Sequence, residues 1–156
     1  IEKNLSEIDP DNTDVYKQNS ENYISDLQEL DKDYQDVVDQ STCKTVLFGD
    51  RFPFRYMVDD YGLDYYAAFV GCSEASFETI KFLAEKVDAL NLKTVLTIEN
   101  SDQKIAKTIV ENTKTKDQKI LALDSMQSTT SQDVENGTTY LSVMKNNLEV
   151  LKEALK

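Results

Sequence analysis

Four stretches of this 156-residue chain place acids or an arginine directly after an apolar run: Gly49-Asp50-Arg51, Gly71-Cys72-Ser73-Glu74, Glu99-Asn100-Ser101-Asp102 and Asp124-Ser125. If those runs are parallel strands of one sheet, their acidic groups and the guanidinium converge, because open α/β sheets bind ligands beyond the strands' carboxyl ends. Carboxylate oxygens gathered there suit a hard or borderline divalent cation. Asp124 and Asp50 are the candidate metal ligands, and Gly49, Arg51, Glu74 and Glu99 are candidates to line the cleft. A plainer reading competes, in which Asn and Ser side chains accept from the free N–H groups at a helix start. For Ser101 and Asp102 that capping reading is the better one. No helix start follows Asp124 directly, so capping accounts for it less well.

Other chemistries find no support. The chain contains no histidine, which removes the usual general base and the commonest transition-metal ligand. A Ser/His/Asp hydrolase is thereby excluded. No GxGxxG follows the first apolar run and no Walker motif occurs. Asp59-Asp60 falls inside the first helix after that run, so it cannot serve as the acidic pair of a phosphoacceptor domain. An enzyme is the least expected class. Cys43 and Cys72 match no metal-knuckle or CxxC spacing. They sit at opposite ends of adjacent predicted strands, beyond the Cα separation of about 4.4–6.8 Å that a disulfide needs, so two free thiols are expected.

Lys and Arg total 17 against 29 Asp and Glu, a net charge of -12. Binding nucleic acid calls for clustered cations, and the basic residues here are scattered among acids, so nucleic acid is set aside. An acidic surface is compatible with cation capture, although most acidic surfaces simply solvate the protein. Apolar residues make up 40% and charged residues 29%, as in a soluble globular chain. No run approaches the roughly 18 apolar residues of a membrane span, and no signal peptide or lipidation motif is visible.

The elements that must position these residues emerge from periodicity. Residues 1–8, IEKNLSEI, read as the last turns of an apolar-periodic helix without a cap, the pattern expected of a fragment. Pro10 stops it, and Asp11 or Asn12 is placed to cap the next helix. From Thr13 to Gln40 there is no Gly or Pro, and Tyr16, Tyr23, Leu27, Leu30, Tyr34 and Val37 recur at helical spacing. About 28 residues at 1.5 Å each give a rod of about 42 Å, longer than the domain after it, which suits a strut. The period then changes. Strands are expected at 45–48, 65–70, 94–98 and 120–123, alternating with helices at 53–61, 76–91, 101–113 and 137–155, and an irregular Ser/Thr/Gln segment precedes the last helix. Near-continuous apolar strands alternating with helices imply a parallel sheet covered on both faces. The expected fold is α/β: a long N-terminal helix, then a four-stranded parallel sheet with helices on both faces. Its parts are 1–41, the end of a preceding helix plus a long backbone helix, and 42–156, an α/β lobe.

Several segments together resemble a known family. LSEIDP (5–10) with Tyr16, Asn19 and Tyr23 is similar to the start of the interdomain helix of cluster A-I solute-binding proteins, the zinc- and manganese-type metal-binding lipoproteins of ABC transporters. FGDRFPFRYMVDDYGL resembles the segment in which a ligand residue precedes an aromatic helix and a Tyr-Gly-Leu turn. GCSEAS resembles a loop that normally reads Glu-Pro-Ser, with Glu74 on its Glu, and is shorter than usual. LTIENSDQKIAKTI, LALDSMQS and YLSVMKNNLEVLKEAL resemble the following strand and helix, the segment with the last metal ligand, and the closing helix. The resemblance spans essentially the whole chain. It implies two α/β lobes joined by a rigid helix that restricts hinge opening, with zinc or manganese held between them and delivered to an ABC permease. Of the two ligands it implies for this half, Asp124 supplies one. The other, a His or Glu, falls on Gly49, with Asp50 adjacent as a substitute. Metal binding by this lobe alone is expected to be weak or absent. A monomer is expected, extracellular and either periplasmic or at the cell surface, meeting the membrane only through an anchor not present in this chain.

Two other readings stay open. One is a surface adhesion or interaction module of the same fold that has lost metal binding, favoured by Gly49 and the absence of His and supported if Phe52, Phe54, Tyr56 and Tyr61 form an exposed patch. The other is a lobe whose Arg51 pairs with an anionic substrate.

Overall fold

The four apolar runs become the strands of one parallel sheet in the computed structural model, which describes residues 1–69 and 75–156. The strands are β1 (Thr45–Arg51), β2 (Asp64–Phe69), β3 (Thr94–Ile98) and β4 (Lys119–Leu123), in the spatial order β2-β1-β3-β4. Every residue of β3 is buried, as a strand covered on both faces requires. Val46 and Phe48 of β1 and Leu96 of β3 face one side of the sheet, while Leu47 and Val95 face the other. Side chains alternate across a strand, so each apolar run feeds two cores.

The first core is closed by α2 (Thr13–Gln40), α3 (Arg55–Asp60) and α7 (Tyr140–Ala154) through Leu30, Tyr34, Val38, Val58, Leu148 and Leu151. The second is closed by α4 (Phe77–Leu90) and α5 (Lys104–Glu111) through Leu83, Val87, Ala106 and Ile109. Two short elements complete the described chain, α1 (Glu2–Ile8) and α6 (Ser131–Glu135), with a 3-10 turn at Pro10–Asn12. None of the described helices is long and apolar enough to cross a membrane.

The 28-residue α2 is unevenly seated. Of the apolar stripe, Leu30, Tyr34 and Val38 are buried, whereas Tyr23 is 46% exposed against 1% for Tyr34. Val38 rather than Val37 is the buried valine at its end. The Tyr34 hydroxyl donates to the Met144 carbonyl at 2.8 Å, and its ring stacks on Tyr61 at 5.3 Å. Farther out, Val15, Tyr23 and Ile24 are exposed, so the rod runs past the lobe it is fastened to.

Several expected boundaries move, each for a local reason. The corner before α2 is held by Asp9, whose Oδ2 accepts from the Asn12 amide at 2.8 Å and the Tyr16 hydroxyl at 2.7 Å. Neither Asp11 nor Asn12 makes the expected capping bond there. β1 runs three residues farther than expected, because pairing with β2 resumes at Arg51↔Phe69 after an irregularity between Phe48 and Arg51. Ser76 caps α4 by accepting from the Thr79 N–H, and Asn91 ends it in the left-handed conformation at φ 53°. The helix expected from 101 starts only at Lys104, since Asn100 and Gln103 take positive φ values of 57° and 60°. The segment expected to be irregular contains α6, started by a reciprocal Thr130–Asp133 capping box. A second such box, Thr139–Ser142, starts α7 later than the expected 137.

Candidate functional site

The chain leaves β1 for a neighbour on one side and leaves β3 for a neighbour on the other. Their carboxyl ends therefore flank the crevice where open α/β sheets bind ligands. Gly49, Asp50 and Arg51 come from the β1 side, and Glu99 to Asp102 come from the β3 side. Together with Gln127 and Ser128 they line a cavity of about 580 Å³.

Gly49 is glycine for a packing reason. A Cβ built there would lie 2.6 Å from the Cα and 2.7 Å from the Cβ of Ala106 in α5. No side chain of any kind, His and Glu included, projects from this position while α5 stays where it is. The first polar side chains on the strand end are thus Asp50 and Arg51. Asp50 turns one oxygen, Oδ1, back to the Arg51 N–H at 2.7 Å. Arg51 is exposed on the cavity wall and makes no ion pair among the described residues.

Across the crevice, Ser101 and Asp102 do what their types favour at a helix start. Ser101 Oγ accepts from the Gln103 N–H at 3.1 Å, and Asp102 Oδ1 accepts from the Lys104 N–H at 3.0 Å. Asp102 also pairs with the Lys104 ammonium at 2.7 Å. These two residues build the turn into α5.

Glu99 has a different task. Its Oε2 accepts from the Ser125 N–H at 2.7 Å, and its Oε1 accepts from the Ser125 and Ser128 hydroxyls at 2.8 and 3.0 Å. Partial burial pushes the Glu99 carboxyl up. The Ser125 N–H and the two hydroxyls outweigh it and hold the group below the ordinary glutamate range. Glu99 thereby ties the loop after β4 to the end of β3.

Asp124 stands in that loop. Its backbone N–H donates to Asn147 Oδ1 and its carbonyl accepts from Asn147 Nδ2, both at 2.8 Å. Its own Oδ1 accepts from the Met126 N–H at 2.7 Å, and its Oδ2 takes no hydrogen bond among the described residues. Asp124 lines a second cavity of about 520 Å³ with Thr130, Asp133, Ser142 and Asn146. Glu99, Asn100 and Ser128 line both cavities. Asp50 and Asp124 thus line different, adjoining cavities. Among the described residues, no three His, Cys, Asp or Glu side chains gather closely enough to hold a metal ion. Glu74 and Cys72, with their loop, lie outside the described residues. Cys43 is a half-buried free thiol at the opposite end of β1. Of the aromatic residues considered for an adhesive patch, Phe52, Phe54 and Tyr61 are partly buried against the first core, and Tyr56 alone is 84% exposed.

Asn147 is absent from the candidates that residue type and spacing single out. The signal for it is present, since Val143, Asn147 and Leu151 fall at i, i+4 spacing on the inward face of α7 and all three are buried. A buried amide among apolar neighbours implies a specific partner.

A sheet with its crevice at a reversal of strand order, an oxygen-rich rim and a helix outrunning the lobe define an open α/β lobe whose crevice lies at the carboxyl ends of β1 and β3. The chain belongs to the zinc-uptake complex component A (periplasmic) family, ZnuA, whose model matches residues 1–154. A relative from Streptococcus pyogenes, the zinc-binding protein AdcA, is 30% identical over 154 residues, which is 97% of this chain but 29% of that protein. The crystal structure of the metal-dependent lipoprotein YcdH from Bacillus subtilis superposes with a TM-score of 0.80 at 26% identity, covering 99% of this chain and 57% of that one. The Zn(II)-bound ZnuA-like domain of Streptococcus pneumoniae AdcA gives 0.74 at 29% identity, with coverage of 99% and 57%. The chain therefore spans less than a third of that AdcA relative and little more than half of the solved chains.

Proposed function

We propose that this chain is the C-terminal lobe, with its backbone helix, of an extracellular solute-binding protein that captures a divalent metal ion and hands it to an ABC permease. Residues 1–41 act as the connecting rod and 42–156 as the lobe. The protein works as a monomer, periplasmic or held at the cell surface. The observation that carries the reading is Asp124, a carboxylate in the loop after β4 that lines the cavity adjoining the crevice, with Oδ1 held by the Met126 N–H and no hydrogen bond to Oδ2 among the described residues. Asp50 offers a second carboxylate on the β1 side, within a family named for zinc uptake.

Two separated carboxylates cannot fill a tetrahedral or octahedral shell. The remaining ligands belong to the second lobe, and the ion is held only when both lobes meet. Zinc is the cargo favoured by the family. Manganese is the second candidate, because among the described residues the metal-ligating side chains this lobe brings to the crevice are oxygen donors.

The test is calorimetric titration of the full-length protein with zinc and manganese, before and after Asp124→Ala. Binding of one ion below about 10 µM, weakened at least about tenfold by the substitution, supports the reading. Failure of both ions to bind in that range would leave a surface interaction module as the better description.

A further inference from the structure

We propose that Asn147 is the positioning residue that sets the Asp124 carboxylate for metal capture; this rests on the reading of Asp124 as a ligand.

At the end of β4, the last pair joining it to β3 is Ile98↔Leu123. Asp124, one residue farther on, has lost its strand partner, so its N–H and C=O need another. The Asn147 side-chain amide, which presents one acceptor and a pair of donors much as a peptide edge does, takes both groups at 2.8 Å. It reaches them from α7, and its own exposure is 2%, so it does not touch the ion. With the backbone pinned, the bond from the Met126 N–H to Oδ1 selects one carboxylate orientation, helped by the positive φ of 58° at Met126. Glu99 fixes the next residue, Ser125, from the other side.

An asparagine here is otherwise hard to account for. Its neighbours on the inward face of α7 are Val143, Leu148 and Leu151, where a leucine of similar size would be the ordinary choice. What the amide adds over leucine is an ordered Asp124. Residues that orient a metal ligand without touching the metal typically alter affinity 10- to 100-fold when removed.

The test measures zinc affinity of the full-length protein as wild type, Asn147→Leu, Asp124→Ala and the double variant. Leucine fills the same volume, so the core is kept. Asn147→Leu is expected to weaken zinc about 10- to 100-fold when Asp124 is present and by less than about twofold when Asp124 is already alanine, the non-additivity of two residues acting through one group. Equal weakening in both backgrounds makes Asn147 a general support of the lobe and overturns the proposal. An unchanged affinity in Asn147→Leu, with Asp124→Ala weakened, overturns the positioning role and leaves the ligand reading intact. An unchanged affinity in Asp124→Ala overturns both. Asn147→Asp, which keeps the acceptor for the Asp124 N–H but loses the donor, is the second variant. If neither variant folds, Asn147 serves the core alone and the proposal fails.

Discussion

Gly49 and Ala106 approach so closely that one methyl group on Gly49 would sit 2.6 Å from the Ala106 backbone. The second core is closed at this point, where α5 crosses the end of β1. Gly49→Ala is expected to destabilise the lobe by about 1–3 kcal/mol, the usual range for forcing a methyl into a filled core. Because the nearest atom is a Cα, Ala106→Gly should not rescue it. Urea denaturation of the single and double variants measures both, and a loss under about 0.5 kcal/mol would mean that α5 moves aside freely.

Tyr34 anchors α2 to α7 by donating its hydroxyl to the Met144 carbonyl from a site only 1% exposed. Tyr34→Phe keeps the stacked ring and removes only that bond. A loss of about 0.5–1.5 kcal/mol is expected, read as a lower urea midpoint at unchanged slope. A neutral result would assign the anchoring to ring packing alone.

Acid should loosen the loop that carries Asp124. The Glu99 carboxyl is held below its ordinary value of 4.5 in the folded lobe. A depressed folded value means that its contribution to stability is fully present above the unfolded value and is lost as the pH falls through the folded one. Stability should therefore decline on acidification below about pH 4.5. Glu99→Gln should be less stable than wild type near neutrality, with the gap closing in acid. Parallel stability curves for the two proteins would sink this account.

Hydrogen exchange should divide α2 in two. Its inner part buries Leu30, Tyr34 and Val38, whereas its outer part leaves Val15, Tyr23 and Ile24 exposed. In the isolated chain, amides before about residue 28 are expected to exchange much faster than those from 31 to 38, since opening is easiest where few apolar contacts hold it closed. Uniform protection along the helix would show that the outer part is stabilised by something other than burial.

The central strands β1 and β3 could be read from the sequence because burial on both faces leaves nearly unbroken apolar runs at 46–48 and 94–98. The edge strands β2 and β4 could be read from apolar runs in the same alternation with helices, although only Ala68 and Leu123 in them are buried. The end of β1 could not, since Gly49-Asp50-Arg51 has no such run and pairs with β2 only at Arg51↔Phe69, beyond an irregularity. Likewise α6 carries a single apolar residue, Val134, in SQDVE and owes its start to Thr130 and Asp133. The onset of α5 falls later than periodicity suggests because Ser101 and Asp102 build a turn before the helix.

At the site, residue types at strand ends identify the rim and the local, turn-building use of Ser101 and Asp102 ahead of α5, whose N-cap is Gln103 without a side-chain cap bond. The partition of the carboxylates is not legible in the same way. It depends on Glu99 reaching Ser125 and on Asn147 reaching Asp124, contacts between residues 26 and 23 positions apart. Local pattern has no means of pairing such residues. The family resemblance, carried by ordered motifs, supplies the architecture that periodicity alone leaves open.

The uneven seating of α2 turns it into a lever. Its fulcrum is the buried cluster at Leu30, Tyr34 and Val38, and about 17 residues extend beyond it, an arm of roughly 25 Å at 1.5 Å each. A tilt of about 5° at that fulcrum, small enough for side chains to absorb, swings the far end by roughly 2 Å. Repacking between α2 and α7 would thus be magnified at the tip, so the fit of Tyr34 against Met144 governs how stiffly anything borne on that end is held.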